Sequence, residues 1–315
     1  MSEPTSRRRL FRALLFAPLA AALALGLGAC APRADDDPNV RPARLRVGWV
    51  PNDEDVDRRV RYAGLTEFLA RQLGMPVELI QTGNYSTAIE AMRAGKLDVC
   101  TLAPFAYLIA HQKAGALAII APGTPEGVVN TYRSILVVPK DSPLRSMDDV
   151  KANAKNLTLA WVDPASASGH LVPRAYLESI GMNPDQDFKA TIFTLSHLSS
   201  ALTTKAGKVD LAVITENTRR NLILKGRLAE DDLRVIWTSA PIVNSVTAVR
   251  GGMSPAFREE VRAAYLAFST ADPKNWALFA NLFPVEGTIW VAAHDRDYDG
   301  LRELARNVKN LDLLD

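Results

Sequence analysis

Apolar and polar positions change period repeatedly along this chain. Leu45, Val47 and Trp49 alternate with Arg46 and Gly48, which predicts a strand, and Pro51-Asn52-Asp53 ends it. Val60, Gly64, Leu65, Phe68 and Leu69 then recur at helical spacing, with Gly74 placed to close the helix. Strands are expected at 77–81 and 97–102, with a helix at 87–94 closed by Gly95 between them. This alternation predicts a largely parallel sheet covered on both faces. Further on, the pattern predicts an apolar strand at 132–138 ending at Pro139, and a helix over 141–151 with Ser146 as its N-cap. A buried strand at 157–162 leads into a Ser/Gly-rich turn and a helix at 174–180. A strand at 191–195, a helix at 199–206, a strand at 211–214 and a helix at 217–224 follow. Apolar runs at 235–238 and 243–249 precede helices at 255–268, from Pro273, and at 301–308.

One sequence echo organises these elements. Ala94-Gly95-Lys96-Leu97-Asp98-Val99 reappears 112 positions later as Ala206-Gly207-Lys208-Val209-Asp210-Leu211. In both places a helix ends on glycine and an apolar strand begins around an aspartate. A common helix-to-strand connection used twice would give this, as would two lobes of similar construction; the offset, close to one small α/β unit, favours the lobes. The expected architecture is an α/β two-lobed clamshell with two crossings, one lobe from 44–135 and 240–315 and the other from 136–239. Ligands of open α/β sheets bind where strand ends and helix N-termini face a cleft. The turn Asp163-Pro164-Ala165-Ser166-Ala167-Ser168-Gly169-His170-Leu171-Val172-Pro173, Tyr85, Ser196-His197 and Glu216 each follow a predicted strand.

The N-terminus and the charge balance add to this picture. Arg7, Arg8, Arg9 and Arg12 precede an apolar run at 14–27, and Leu27-Gly28-Ala29-Cys30 has the pattern of a bacterial lipoprotein cleavage site. Residues 1–29 are therefore expected to be a signal removed before a lipidated Cys30, which leaves a periplasmic, membrane-anchored protein. Export by a twin-arginine or an ordinary secretory route fits equally. Residues 30–43, with three consecutive aspartates and three prolines, are expected to be a flexible tether. The whole chain carries 37 basic and 35 acidic residues. Four arginines and one glutamate fall in residues 1–29, so the remainder has 33 against 34 and a net charge of −1. That balance excludes a basic nucleic-acid-binding surface. Cys100 is the one cysteine besides Cys30, so no structural disulfide is expected.

The Ser166–Ser168 turn supports two readings. A strand-to-helix turn exposes free backbone N–H groups at the positive end of a helix dipole, which can hold an anion with Ser166 and Ser168 as extra donors. It is equally an ordinary N-cap. A hydrolase would use Ser168 as nucleophile, His170 or His197 as base and Asp210 or Glu216 as the acid. A nucleophile elbow, however, needs glycines where Ser166 and His170 stand. The chain has no His-Glu-x-x-His pair, no cysteine cluster and no phosphate-binding Walker loop, so no metal or cofactor is expected. His197 is either a helix-start imidazole meeting a nearby carbonyl or a donor to an anionic oxygen. Glu216 either accepts from a ligand or caps its helix, and Tyr85 is either ligand-facing or core.

The serine turn resembles the D-P-x-S-x-S-G-x-L-x-P signature of the phosphate/phosphite/phosphonate ABC-transporter substrate-binding proteins. Val50-Pro51-Asn52-Asp53, Gly83-Asn84-Tyr85, Ala103-Pro104-Phe105-Ala106-Tyr107, Tyr132-Arg133-Ser134, Asp141-Ser142-Pro143, Ser196-His197 and Gly207-Lys208-Val209-Asp210 follow in the family's order. The resemblance implies a type II periplasmic binding fold that is monomeric, takes one small ligand and delivers it to a membrane permease. It implies that Ser166, Ala167, Ser168, Gly169 and His170 surround the oxyanion, with Tyr85 and His197 beside them and Glu216 near a ligand amino group. Three positions depart from the family pattern: Ala167 replaces a threonine, Leu102 stands where some members have a tyrosine, and no aspartate lies near Ser245. A phosphorus oxyanion or phosphonate is the expected ligand. Leu102 and Ala167 motivate the alternative of a less charged or apolar ligand, such as a lipid or sterol-like amphiphile.

Overall fold

The computed structural model describes residues 41–50, 56–283 and 285–308. The expected signal, Cys30, most of the expected tether and Pro51-Asn52-Asp53 lie outside the described residues. Seven elements open the chain: β1 (Leu45–Trp49), α1 (Val56–Leu73), β2 (Val77–Gln81), α2 (Tyr85–Arg93), β3 (Val99–Leu102), α3 (Pro104–Ala114) and β4 (Leu117–Gly123). After the short β5 (Thr131–Tyr132) come β6 (Ser134–Pro139), α4 (Met147–Asn153), β7 (Thr158–Trp161), a π-helical turn (Ala167–Leu171), α5 (Val172–Ser179), α6 (Pro184–Asp187) and β8 (Ala190–Phe193). The same part of the chain continues with α7 (His197–Lys205), β9 (Leu211–Thr215), α8 (Glu216–Leu224) and β10 (Leu233–Thr238). The chain returns through β11 (Ile242–Val243) to β12 (Val246–Val249), α9 (Pro255–Ala271), α10 (Pro273–Ala280), β13 (Ile289–Ala292) and α11 (Asp299–Asn307).

Two sheets result, a six-stranded one in the order β13-β4-β12-β3-β1-β2 and a five-stranded one in the order β10-β6-β9-β7-β8. The crossing segments pair with each other, Tyr132 opposite Ile242 and Thr131 opposite Val243. Ser134 N–H donates to Ser239 Oγ at 3.0 Å and Ser239 N–H to Ser134 O at 2.9 Å, which ties the two passages together. The sheets are mixed rather than largely parallel. β1 runs parallel to β2 and β3, but β12 is antiparallel to β3 and β4, and β6 is antiparallel to β9 and β10. A strand that returns from the other lobe enters its sheet from the opposite end, and this reverses its direction. Apolar residues fill both faces of each sheet: α2 and α3 cover one face of the first sheet, and α1, α9 and α10 cover the other.

The sequence echo is a structural equivalence that reaches well beyond the glycines. Arg46 N–H donates to the Asp98 carboxylate at 2.9 Å and Thr158 N–H to Asp210 at 2.7 Å, 112 positions on in both partners. Thr82 N–H donates to Trp49 O at 3.1 Å and Thr194 N–H to Trp161 O at 2.9 Å. Asn84 caps α2 through Thr87 N–H, and Ser196 caps α7 through Ser199 N–H. Gly95 and Gly207 sit at φ 64° and 65°, the left-handed region that glycine enters without a Cβ clash. By the same offset, Tyr85 and His197 are equivalent residues, each the first of its helix.

Candidate functional site

A cavity of about 230 Å³ lies between the sheets, lined by Tyr85, Thr101 and Thr247 from the first lobe, Tyr132 and Asn244 from the crossings, and Ser166, Ser168, His197, Thr215 and Thr218 from the second. Tyr85, Ser166, Ser168, His197, Thr215 and Thr218 lie at the end of or after parallel strands, which deliver the next helix N-termini to one side of the sheet, and Thr247 reaches the same side from antiparallel β12. Thr215 is the N-cap of α8, its Oγ1 accepting from Thr218 N–H at 3.0 Å. Asn217 and Asn221, one turn apart on that helix, add amides to the lining. Thr101 and Thr247 hydroxyls meet at 3.0 Å across β3 and β12.

The serine turn is an N-cap whose two serines also line the cavity. Ser166 Oγ accepts from Gly169 N–H at 2.9 Å, an N-cap bond, yet its hydroxyl proton remains available and the residue lines the cavity. The cap opens the π-helical turn that continues into α5, a distortion frequent at functional sites. Ser168 anchors the turn to the crossing strand: its carbonyl accepts from Ser134 Oγ at 2.6 Å, and its hydroxyl pairs with the Tyr132 phenol, which burial pushes up to about 12. Ser168 Oγ also lies 3.4 Å from His197 Nε2. Burial pushes the His197 imidazole down to about 4, so at neutral pH it is uncharged and offers one donor and one acceptor nitrogen. Its Nδ1 is buried without a hydrogen-bond partner among the described residues. Four pairs separated by 112 positions, Val50/Val162, Gly83/Leu195, Asn84/Ser196 and Tyr85/His197, line a smaller cavity of about 20 Å³ beside it with Asp163.

Four expected contacts are placed elsewhere. His170 packs edge-on between Trp161 and Phe193, with Nδ1 3.1 Å from Pro164 O, and burial pushes it down to about 4. Gly169 sits with its Cα against Val162, where a side chain has no space. Ala167 is fully buried in an apolar cluster with Tyr85, Phe105 and Leu171. Glu216 is exposed, because the helical turn that points Asn217 and Thr218 into the cavity carries the preceding side chain outward. Leu102, which motivates an apolar ligand, is buried in the core, and its neighbours Thr101 and Ala103 line the cavity instead, as strand alternation requires. Apolar surface enters the cavity from residues the pattern does not single out: Tyr62, Phe279, Leu282, Phe283 and Trp290. Among the described residues, no cluster of three or more His, Cys, Asp or Glu side chains offers a metal site.

Comparison with known proteins identifies the family and the fold. The sequence model of the family described as "ABC transporter, phosphonate, periplasmic substrate-binding protein" matches residues 47–298. The chain is 27% identical over 282 residues to the phosphate-import protein PhnD of Mycolicibacterium smegmatis, covering 84% of this chain and 85% of that one. It is 28% identical over 244 residues to the phosphonates-binding periplasmic protein of Escherichia coli, covering 76% and 70%. In three dimensions it is similar to a binding-protein component of an ABC phosphonate transporter from Pseudomonas aeruginosa, with a TM-score of 0.75, 25% identity and coverage of 86% and 88%. PhnD1 of Prochlorococcus marinus, solved with methylphosphonate, shares the fold at a TM-score of 0.71 and 21% identity over 84% and 98% of the chains. The family is a substrate-binding component of transporters and not an enzyme, which overturns the hydrolase reading of Ser168. Two mixed sheets joined by paired crossings, a cleft at their helix N-termini and a family match over residues 47–298 make one case: this chain belongs to the periplasmic substrate-binding proteins of phosphonate-type ABC transporters.

Proposed function

We propose that the cleft captures a small phosphorus oxyanion, phosphate, phosphite or a phosphonate, for an ABC permease, and that lipidated Cys30 holds the protein at the membrane. The observation that carries this reading is the convergence of uncharged donors from both lobes in one cavity: Tyr85, Ser166, Ser168, His197, Thr215 and Thr218. The N-termini of α2, α7, α8 and the turn leading into α5 meet there, and their unpaired first-turn amides and dipoles stabilise an anion without a counter-charge. In this reading residues 44–135 and 240–315 close on 136–239 about the paired β5 and β11. Calorimetry with phosphate, phosphite, methylphosphonate and 2-aminoethylphosphonate tests the ligand class, and no heat from any of the four overturns it. Ser168→Ala removes one hydrogen bond to a charged group, about 1.5–3 kcal/mol, and should weaken the best ligand about 10- to 150-fold. Cys30→Ala should release the protein from the membrane fraction.

A further inference from the structure

Polar side chains line the cleft on both lobes, with Tyr85, Thr101 and Thr247 on the first, but apolar side chains line it on one side only. Ser166, Ser168, His197, Thr215 and Thr218 stand on the second lobe, whereas the apolar lining, Tyr62, Phe279, Leu282, Phe283 and Trp290, comes from α1, the end of α10 and β13 on the first. Three of these are built into the core of that lobe: Tyr62 and Phe279 rings lie 5.2 Å apart, Phe279 and Trp290 4.9 Å apart, and Trp49 stacks on Tyr62 at 5.1 Å. Phe283 joins the cluster at 5.9 Å from Phe279. Beyond α10 the chain keeps turning, Leu282 N–H donating to Phe279 O and Phe283 N–H to Ala280 O, both at 2.9 Å. This leaves Leu282 and Phe283 half-buried, so apolar surface faces the cleft on a rigid aromatic base. Such surface inside a binding cavity is stabilised by an apolar group that covers it.

We infer that the ligand is an organophosphorus anion whose phosphorus oxygens sit among the second-lobe hydroxyls, with an uncharged apolar substituent, a short alkyl chain or a single phenyl ring, against the Tyr62–Phe283 wall. The substituent is small because the whole cavity is about 230 Å³, below the roughly 300–1,000 Å³ of pockets that take drug-sized molecules. It is uncharged because the described lining residues include no Asp, Glu, Lys or Arg, and Glu216 faces solvent. Among the described residues of that wall, an ammonium has no carboxylate to meet, and it loses hydration. The inference deepens the proposed function and rests on it.

Calorimetric titration of the mature chain with methyl-, n-propyl-, phenyl- and 2-aminoethylphosphonate tests it. Phenylphosphonate should bind at least about tenfold tighter than methylphosphonate, a gain of about 1.4 kcal/mol. Propylphosphonate should fall between the two, and 2-aminoethylphosphonate should bind no better than methylphosphonate. In Phe283→Ala and Leu282→Ala proteins the phenyl-to-methyl ratio should shrink to within about twofold. The series in the unaltered chain stands by itself if either variant does not fold. Equal or weaker binding of phenylphosphonate while methylphosphonate binds overturns the inference and leaves the oxyanion reading in place. A phenyl preference that both variants preserve in full overturns the assignment to this wall. Failure of all four to bind, and of phosphate and phosphite as well, overturns the oxyanion reading itself.

Discussion

Gly169→Ala tests whether the serine turn is held by close packing against the strand before it. A Cβ built on Gly169 meets Val162 Cβ at 2.3 Å, Val162 Cγ2 at 2.6 Å and Ser166 Oγ at 2.8 Å, against ordinary contacts of 3.4–4 Å. The φ of Gly169 is not in the left-handed region, so space and not conformational freedom decides the position. Relief requires the turn to back away from Val162 by about 1 Å. Two bonds then stretch, Gly169 N–H to Ser166 Oγ at 2.9 Å and Val162 N–H to Gly169 O at 3.0 Å. Overpacking costs about 1–3 kcal/mol and each neutral hydrogen bond about 0.5–1.5 kcal/mol, so the variant should lose about 2–6 kcal/mol. Urea unfolding followed by circular dichroism reads this as a lower midpoint at unchanged slope. Because Ser166 and Ser168 move with the turn, affinity for the oxyanion should fall at least about tenfold. Val162→Ala keeps the Cβ that clashes at 2.3 Å and should not rescue, whereas Val162→Gly removes it and should. In the double variant the loss should therefore be smaller than the sum of the two single losses. A Gly169→Ala protein that loses less than about 1 kcal/mol and keeps its affinity would refute the reasoning.

Lowering the pH from 7 to 5 should destabilise the protein. His170 and His197 are pushed from 6.5 to about 4, so between those values the unfolded chain binds more protons and stability falls with pH; each imidazole contributes at most about 2 kcal/mol of loss at pH 5, and urea midpoints equal at the two pH values would count against both. Asp98→Asn should cost about 3–5 kcal/mol, since the fully buried carboxylate holds Arg46 Nε at 2.8 Å and Arg250 Nε at 2.9 Å. Asp210→Asn at the equivalent position should cost only about 1 kcal/mol, because Asp210 is exposed and accepts Thr158 N–H; equal losses at the two sites in thermal unfolding would overturn this account. Leu195, at φ 66° and 66% exposed, stores backbone strain next to Ser196 and His197. Leu195→Gly should raise stability by about 0.5–1 kcal/mol once the greater entropy of glycine in the unfolded chain is deducted, and a lower urea midpoint would show the strain to be absent.

The parts legible in the sequence are those where local pattern and tertiary structure agree. Gly95 and Gly207 end helices, Ser146 caps one, helices begin at Pro255 and Pro273, and the alternating run at Leu45–Trp49 is a strand. The α3 helix carries no periodic signal in the sequence because Pro104–Ala110 is buried all round, which removes the 3.6-residue period that marks a helix. β4 and β13 pair with each other at the far side of the first sheet, a contact between segments about 170 positions apart that no local pattern announces. Within the site, strand ends were legible and side-chain directions were not. Thr101 rather than Leu102, and Asn217 rather than Glu216, face the cavity, each differing by one residue from the expected position. The aromatic wall leaves no local signal for a similar reason: Tyr62, Phe283 and Trp290 come from α1, the turn after α10 and β13, and only the fold gathers them.

The equivalence at 112 positions explains how a cleft built on matching frames comes to carry apolar surface on one side only. The two halves share strand registers, aspartate-to-amide bonds and helix caps, so Tyr85 and His197 reach the cavity from equivalent positions. Selectivity therefore lies where equivalent positions differ. Ala103 corresponds to Thr215, so the N-cap of α3 offers no hydroxyl where that of α8 does. Gly83 corresponds to Leu195, so the approach to α2 is unstrained and the approach to α7 is strained. Apart from Tyr62 on α1, the apolar wall comes from α10, the turn after it and β13, which follow the return crossing and have no counterpart among the described elements of the second half. One frame, used twice, brings helix N-termini to the cleft from both sides and suits it to an anion. The added C-terminal elements then give only one side of that anion an apolar neighbour, and this asymmetry is what a ligand with a charged head and a small uncharged tail would exploit.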